Sequence, residues 1–249
     1  MNCLVIGYGW LGKPLALELK NKGYKVFASS RDVEKINTMQ NEGILPWQYD
    51  ANHTKDFPDW FTELDLIVFN LPPSGIDDYP QALKEIAQNT PENCKILFTS
   101  STGVYENREG LVNEESPLIH NHQVTIAEKA LENSGKNFII LRLAGLIGGE
   151  RHPIKHLSGK TIENGSQVVN LVNRNDVIRA IIQIIQTKKT NAIFNLCYPD
   201  HPSREEYYTK SAISKNLTPP TFIKSSGAGK IVSSEKLEKE LNFTFINPI

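Results

Sequence analysis

Apolar residues in this chain come first as short unbroken runs and then at intervals of three and four, and the two patterns alternate from the amino terminus onward. Cys3-Leu4-Val5-Ile6 is apolar throughout, as expected of a strand in a parallel sheet covered on both faces. Leu11, Leu15, Ala16 and Leu19 then recur at helical spacing, with Gly23 placed to stop the helix, and Tyr24–Ser29 reads as a second strand. Further runs predict strands over Ile44–Tyr49, Asp65–Phe69, Cys94–Thr99, Asn137–Leu143 and Ala192–Cys197. Helical patterns fall between most of them, over Tyr79–Asn89, Thr125–Asn133 and Asp176–Gln186. That alternation predicts an α/β fold built on a doubly wound parallel sheet.

After Gly145 the alternation loosens. Gly148-Gly149-Glu150-Arg151-His152-Pro153, then Gly159 and Gly165, predict loops, and Pro199, Pro202, Pro219, Pro220 and Pro248 punctuate the C-terminal part of the chain. The expected organisation is a nucleotide-binding core over residues 1–148 and a small C-terminal substrate-side lobe over 149–249, stacked over the carboxyl edge of the sheet. The lobe is interleaved with the last core helix, about 174–187, and the last core strand, about 192–197, in a single compact unit.

Composition narrows the function classes. A chain of 249 residues buries a sizeable core, and with a net charge of −1 and no basic block of five it is not expected to bind nucleic acid or an anionic membrane. Lys188-Lys189, the densest basic spot, reads as a solvated helix end. Cys3, Cys94 and Cys197 are odd in number and strand-borne, so they read as core residues and not as a disulfide framework or zinc site. No charged start precedes an apolar segment and no apolar run approaches a membrane span, so a cytoplasmic protein is expected.

Within this frame Gly7-Tyr8-Gly9-Trp10-Leu11-Gly12 spaces three glycines as G-x-G-x-x-G at the first strand-to-helix turn, which makes the whole stretch a candidate dinucleotide grip in a Rossmann fold. Gly7 allows the tight turn, Gly9 lets backbone approach a pyrophosphate, and Gly12 lets the helix lie close to the sheet. The phosphates then meet unpaired N–H groups and the positive end of the helix dipole. The second strand ends in Ser29-Ser30-Arg31-Asp32. Ser30 leaves the position that reads a free ribose uncharged, and Arg31 follows where its guanidinium can fork onto a 2′-phosphate, so NADP is expected in preference to NAD. The competing reading makes Arg31 a surface residue; Asp32 reads as the N-cap of the next helix. Asp50 either accepts from the adenine amino group or is a solvated turn aspartate.

Four later segments follow in order: Thr99-Ser100-Ser101-Thr102-Gly103-Val104-Tyr105, Glu114-Glu115-Ser116-Pro117, Leu141-Arg142-Leu143-Ala144-Gly145-Leu146-Ile147-Gly148 and Asn170-Leu171-Val172-Asn173-Arg174-Asn175-Asp176-Val177. With the glycine turn they make most of the chain resemble the short-chain dehydrogenase/reductase superfamily, in its extended, NAD(P)-dependent epimerase/dehydratase-like branch. The resemblance implies that Ser101 hydrogen-bonds the substrate hydroxyl or carbonyl with Thr102 beside it, and that Asn70, Leu71 and Pro72 form the turn beside the nicotinamide-side ribose. It also implies a homodimer, through the helices that follow strands four and five.

One departure bears on the chemistry. The family's dyad is a Tyr followed four residues later by Lys, with a Glu four further on; aligned on Glu128, this chain has His120 at the tyrosine position and Val124 at the lysine position. That Tyr is the general acid/base and the Lys lowers its pKa and holds the ribose. In this respect the chain resembles atypical members of the superfamily that lack the dyad. His120 is either a substitute proton donor or a surface histidine beside His122, and Tyr105 either a substitute acid or a structural residue beside the pocket, with substrate or water as the other proton sources; a slipped register pairs Thr125 with Lys129, but a threonine hydroxyl is a poor acid.

Arg151 and Arg142 are candidates for binding an anionic substrate such as a sugar nucleotide, Arg142 being equally explicable as a salt-bridge partner. His152 and His156 have helical metal spacing, but Pro153 lies between them and no third ligand completes a set, so no metal is expected. No nucleophile elbow or Walker lysine is present. Two functions are consistent with these residues: an NADP(H)-dependent oxidoreductase or epimerase acting on a small sugar-like or nucleotide-linked substrate, and a catalytically silent NADP(H)-binding sensor.

Overall fold

The computed structural model describes residues 1–223 and 227–249. In chain order the elements are β1 (Asn2–Ile6), α1 (Gly12–Asn21), β2 (Lys25–Ser30), α2 (Val33–Asn41), β3 (Leu45–Gln48), β4 (Leu66–Phe69), α3 (Tyr79–Asn89), β5 (Lys95–Ser101), β6 (Gly110–Val112), α4 (Gln123–Glu132), β7 (Asn137–Leu143), β8 (Gly145–Ile147), α5 (Ile154–Leu157), β9 (Thr161–Ile162), β10 (Leu171–Asn173), α6 (Arg174–Gln186), β11 (Ala192–Leu196), α7 (Arg204–Ser214), β12 (Thr221–Phe222), β13 (Lys230–Val232) and α8 (Glu235–Leu241). Short 3₁₀ turns cover Asp59–Glu63 and Thr102–Val104.

The main sheet has seven strands in the order β11-β7-β5-β4-β1-β2-β3, and β1 through β5 pair in parallel. The chain enters at β1 and winds first to one side and then to the other, which makes the carboxyl end of β1 the switch point where this architecture binds ligands. This is the doubly wound sheet expected from the apolar runs. β1 and β4 are buried over nearly their whole length, as a strand with helices on both faces must be.

The chain divides into two compact units: residues 1–104, 119–142 and 181–193, and residues 105–118, 143–180 and 194–249. In the first unit the edge strand β3 carries Pro46, which an edge tolerates. An aromatic cluster sits beside it: Phe27 stacks on Trp60 at 4.1 Å and Trp47 on Tyr49 at 4.4 Å, with Phe57 and Phe61 edge-on. Cys3 and Cys94 are buried here and Cys197 in the second unit, and burial pushes each thiol up to about 12, as suits core residues.

The second unit contains structure where the sequence predicts loops. Three two-stranded parallel pairs, β6 with β13, β8 with β10 and β9 with β12, join segments distant in sequence. α7 starts at a capping box in which the Ser203 hydroxyl accepts from Glu206 N and the Glu206 carboxylate accepts from Ser203 N. Its Tyr207, Tyr208 and Ala212 pack with Ile147, Ile154, Val169 and Leu171 in a local core. The buried Asp176 carboxylate accepts from Ile246 N, Asn247 N and Asn247 Nδ2 and so holds the last residues of the chain. Among the described residues no helix is long and apolar enough to cross a membrane.

Candidate functional site

The β1–α1 turn is shaped by two glycines with structural reasons and a third without one. Gly7 has φ +102°, and a Cβ there would come within 2.7 Å of Asn70 O; at Gly12 it would lie 2.0 Å from Gly7 O. A Cβ at Gly9 meets no protein atom within 4 Å. Gly9 therefore keeps open a space that protein packing does not use. The turn is tied to the end of β2, where Gly7 N donates to Ser29 Oγ at 3.2 Å and Tyr8 N to Ser29 O at 2.8 Å. α1 begins at Leu11 with no side-chain cap and no acidic residue in its first turn, so its positive end is left for an external anion.

A cavity of about 380 Å³ opens from this turn. Gly7, Tyr8, Gly9, Ser30, Arg31, Asp50, Asn70, Leu71 and Pro72 all line it, as the sequence leads one to expect. Trp10, Leu11 and Gly12 stand outside the lining; Leu11 and Gly12 are buried where α1 starts. The sequence reading missed Lys35, one turn into α2, and Tyr49 and Ser74–Ile76, which also form walls. Asp32 is the N-cap of α2, accepting from Glu34 N at 2.9 Å. Asn52 clamps the two rim loops together: its Nδ2 donates to Gly75 O and its Oδ1 accepts from Asp77 N. The Asn70 amide bridges strand ends, accepting from Thr99 Oγ1 at 3.1 Å and lying 3.4 Å from Gly7 O.

The tyrosines here are not acids for neutral pH. Burial and the Glu42 carboxylate, to which its hydroxyl donates, raise the Tyr8 phenol well above its usual value, and burial with the charge of Glu85 pushes Tyr49 up to about 12. Lys13, 2.6 Å from Glu42, holds that carboxyl below its ordinary range with help from Tyr8.

The residues expected to carry chemistry fare differently. Ser101 is exposed at the carboxyl end of β5, its Oγ accepting from Gly103 N at 3.0 Å, while Thr102 is buried. His120 sits in a turn before α4, exposed, with Nδ1 3.4 Å from Lys129 Nζ; it is not on the helix that the family's tyrosine occupies. Val124 is 4% exposed, and Thr125 is buried with no hydrogen-bond partner for its hydroxyl among the described residues. Tyr105 is 1% exposed and its hydroxyl donates at 2.6 Å to Asn195 Oδ1, so the phenol is committed within the second unit, which corrects its candidacy as a proton donor.

Arg142 is corrected in the same way. It is 2% exposed and binds Glu128 through Nε at 3.0 and 3.2 Å and Nη2 at 2.7 Å; Ser100 Oγ donates to the same carboxylate at 2.5 Å. The salt-bridge alternative holds, and Glu128 is spent on packing α4 against β5 and β7. Arg151, in the second unit, is exposed on the wall of a separate cavity of about 270 Å³. His152 precedes α5 and His156 lies on it, and no group of three metal-ligating side chains occurs among the described residues.

Comparison with known proteins agrees with this geometry. The profile of the NAD(P)H-binding family matches residues 7–188. The chain is 36% identical to Protein YeeZ of Escherichia coli strain K12 over an alignment covering 98% of this chain and 95% of that protein. Among solved structures, MoeE5 in complex with UDP-glucose and NAD superposes with a TM-score of 0.81 at 18% identity, covering 100% of this chain and 95% of the other. UDP-glucuronic acid 4-epimerase from Bacillus cereus in complex with NAD gives 0.79 at 19%, covering 100% and 94%. At these identities the structural likeness speaks for the fold.

Proposed function

The chain belongs to the NAD(P)H-binding family, and from that premise we propose that it is an atypical relative of the NAD-dependent epimerases, an NADP(H)-dependent oxidoreductase or epimerase of the cytoplasm acting on a sugar-like or nucleotide-linked substrate. The observation that carries this reading is the cavity at the β1–α1 turn, where a Cβ at Gly9 would meet nothing within 4 Å and the lining includes Arg31 and Lys35. The residues fit the cofactor. Gly7, Gly9 and the uncapped start of α1 would hold the pyrophosphate, Asp50 the adenine amino group, Arg31 with Lys35 the 2′-phosphate, and Asn70, Leu71 and Pro72 the nicotinamide-side ribose.

When bound, the nicotinamide supplies or takes up a hydride. Ser101, exposed at the end of β5, then polarises the reacting oxygen by one hydrogen bond, with Thr102 beside it. With the Tyr105 hydroxyl committed to Asn195, the remaining proton comes from solvent, from the substrate itself or from His120, which stands at the family's tyrosine position. The second unit, which contains most of residues 149–249, supplies substrate recognition, with Arg151 reading its anionic part. The sugar nucleotides bound by MoeE5 and the epimerase support that substrate class.

The test is paired titration with NADPH and NADH. Arg31→Ala weakens NADPH by roughly 1–3 kcal/mol, the scale of a lost charged hydrogen bond, and leaves NADH nearly unchanged; equal loss for both removes the 2′-phosphate assignment.

The second reading, a silent NADP(H)-responsive sensor, is favoured by His120 lying off α4 and Val124 lying buried. Turnover assays over nucleotide sugars, sugar lactones and small carbonyls separate the two. Conversion that falls in Ser101→Ala with cofactor affinity intact supports the enzyme; silence across the panel with tight NADPH binding supports the sensor.

A further inference from the structure

Two loops form part of the rim of the first cavity, and they come from different strands. One follows β3 and brings Tyr49, Asp50 and Ala51 to the lining; the other follows β4 and brings Ser74, Gly75 and Ile76. The first is folded on itself around Asp50: His53 N and Thr54 N donate to Asp50 O at 3.1 and 2.8 Å, and Asp50 N donates to Thr54 Oγ1 at 2.9 Å. The second is pinned at its two ends, by the Tyr79 hydroxyl donating to Leu71 O at 2.9 Å and by Asp78 capping α3. Its middle is a tight turn in which Ile76 N donates to Pro73 O at 3.3 Å and Gly75 has φ +80°.

Asn52 joins the two. Its Nδ2 donates to Gly75 O at 3.1 Å and its Oδ1 accepts from Asp77 N at 3.0 Å, the pattern by which a residue of a parallel strand bonds the two neighbours of its partner. A carboxamide suits this because it presents a donor and an acceptor together, whereas a carboxylate lacks the donor. Ile76 lies between the two bonds and is itself half-buried in the cavity wall. Asn52 also acts through its backbone: Asn52 N donates to Asp50 Oδ1 at 3.0 Å, which orients that carboxylate and leaves Oδ2 to accept from a ligand.

We propose that Asn52, which does not itself line the cavity, is the positioning residue for the adenine half of the cofactor site. It sets the gap between the Asp50–Ala51 wall and the Gly75–Ile76 wall and holds the Asp50 carboxylate in place. An adenine ring then meets a groove already assembled, and binding does not have to order two loops. This role rests on the cavity taking NADP(H), as proposed above, and adds that recognition of the adenine depends on a side chain outside the lining.

The experiment is calorimetric titration of the full chain and of Asn52→Ala with NADPH and NADH. Binding of reduced nicotinamide mononucleotide, which lacks the adenosine half, is followed beside it by ligand-observed NMR. Asn52→Ala is expected to weaken NADPH and NADH by the same factor, about ten-fold, and to leave the mononucleotide unchanged. Arg31→Ala, in contrast, separates the two dinucleotides. In the unliganded protein the Asp77 amide is expected to exchange its hydrogen faster in Asn52→Ala than in wild type, because its acceptor is gone. Loosening of the fold as a whole weakens all three ligands, so equal loss of the mononucleotide overturns the positioning role. NADPH affinity that Asn52→Ala leaves unchanged overturns it too, as does unchanged exchange at Asp77. Failure of the wild type to bind either dinucleotide is a distinct result, which overturns the cofactor reading itself.

Discussion

The β1–α1 turn and α4 are both places where the sequence leads one to expect groups that handle ligands, and the chain has built them in opposite ways. At the turn, Gly7 and Gly12 close the backbone while Gly9 holds space open toward a cavity, and α1 presents uncapped N–H groups. On α4, Val124, Thr125 and Glu128 all face inward, and Glu128 is consumed by Arg142 and Ser100. An open backbone turn and a packed helix face are therefore separable properties of the architecture. The first depends on backbone geometry near a switch point; the second depends on side chains turned inward.

The largest test of that contrast is Glu128→Gln. Removing the charge leaves Arg142 buried without its counter-ion, and about 3–5 kcal/mol of stability should be lost in urea denaturation. A Glu128→Leu/Arg142→Met double variant should recover most of it, since buried pairs exchange well for apolar residues of similar volume. NADPH affinity of the folded fraction should stay where it was. A parallel loss of affinity would mean that α4 still serves the ligand.

Next come the glycines. Gly12→Ala forces a methyl against Gly7 O and should cost about 1–3 kcal/mol of stability, with cofactor binding lost alongside. Gly9→Ala should leave the unfolding midpoint almost unmoved and weaken NADPH binding alone. If Gly9→Ala destabilises the unliganded protein as Gly12→Ala does, the open space belongs to the fold and not to a ligand.

The smallest effect concerns Glu42. Lys13 and the Tyr8 hydroxyl hold its carboxyl below the ordinary 4.5, so on acidification the unfolded chain takes up this proton first. Its contribution is complete above about pH 4.5 and is lost as pH falls through the lower folded-state value. Wild type should exceed Glu42→Gln by under about 1 kcal/mol at pH 7, and the difference should shrink progressively as pH falls below 4.5. A difference that persists in acid would place its origin in packing.

Much of the fold is legible in the sequence where the signal is local. α3 and β7 have the bounds expected from their periodicity, and most residues proposed for the cofactor do line the first cavity. The illegible parts depend on distant partners. β6 and β13 are three residues each and pair Gly110 with Lys230, so neither shows a period of its own. α7 carries a readable capping box at Ser203 and Glu206, but Pro199 and Pro202 directly before it point to loops. Lys35 and the Ser74–Ile76 wall enter the first cavity only because loops after different strands converge. Glu128 and Arg142 are each visible, yet only the packing of α4 on β7 makes them a pair.

The aromatic cluster by β3 has a practical corollary. Trp10, Trp47 and Trp60 are the chain's three indoles, and all belong to the first unit, with Trp47 stacked on a tyrosine of the cavity wall. Indole emission excited at the red edge of the ultraviolet band is thus an optical gauge of that half alone. Loosening around Tyr207 and Tyr208 leaves it dark and must be followed by phenol absorbance, so the two halves can be watched in one cuvette without a label.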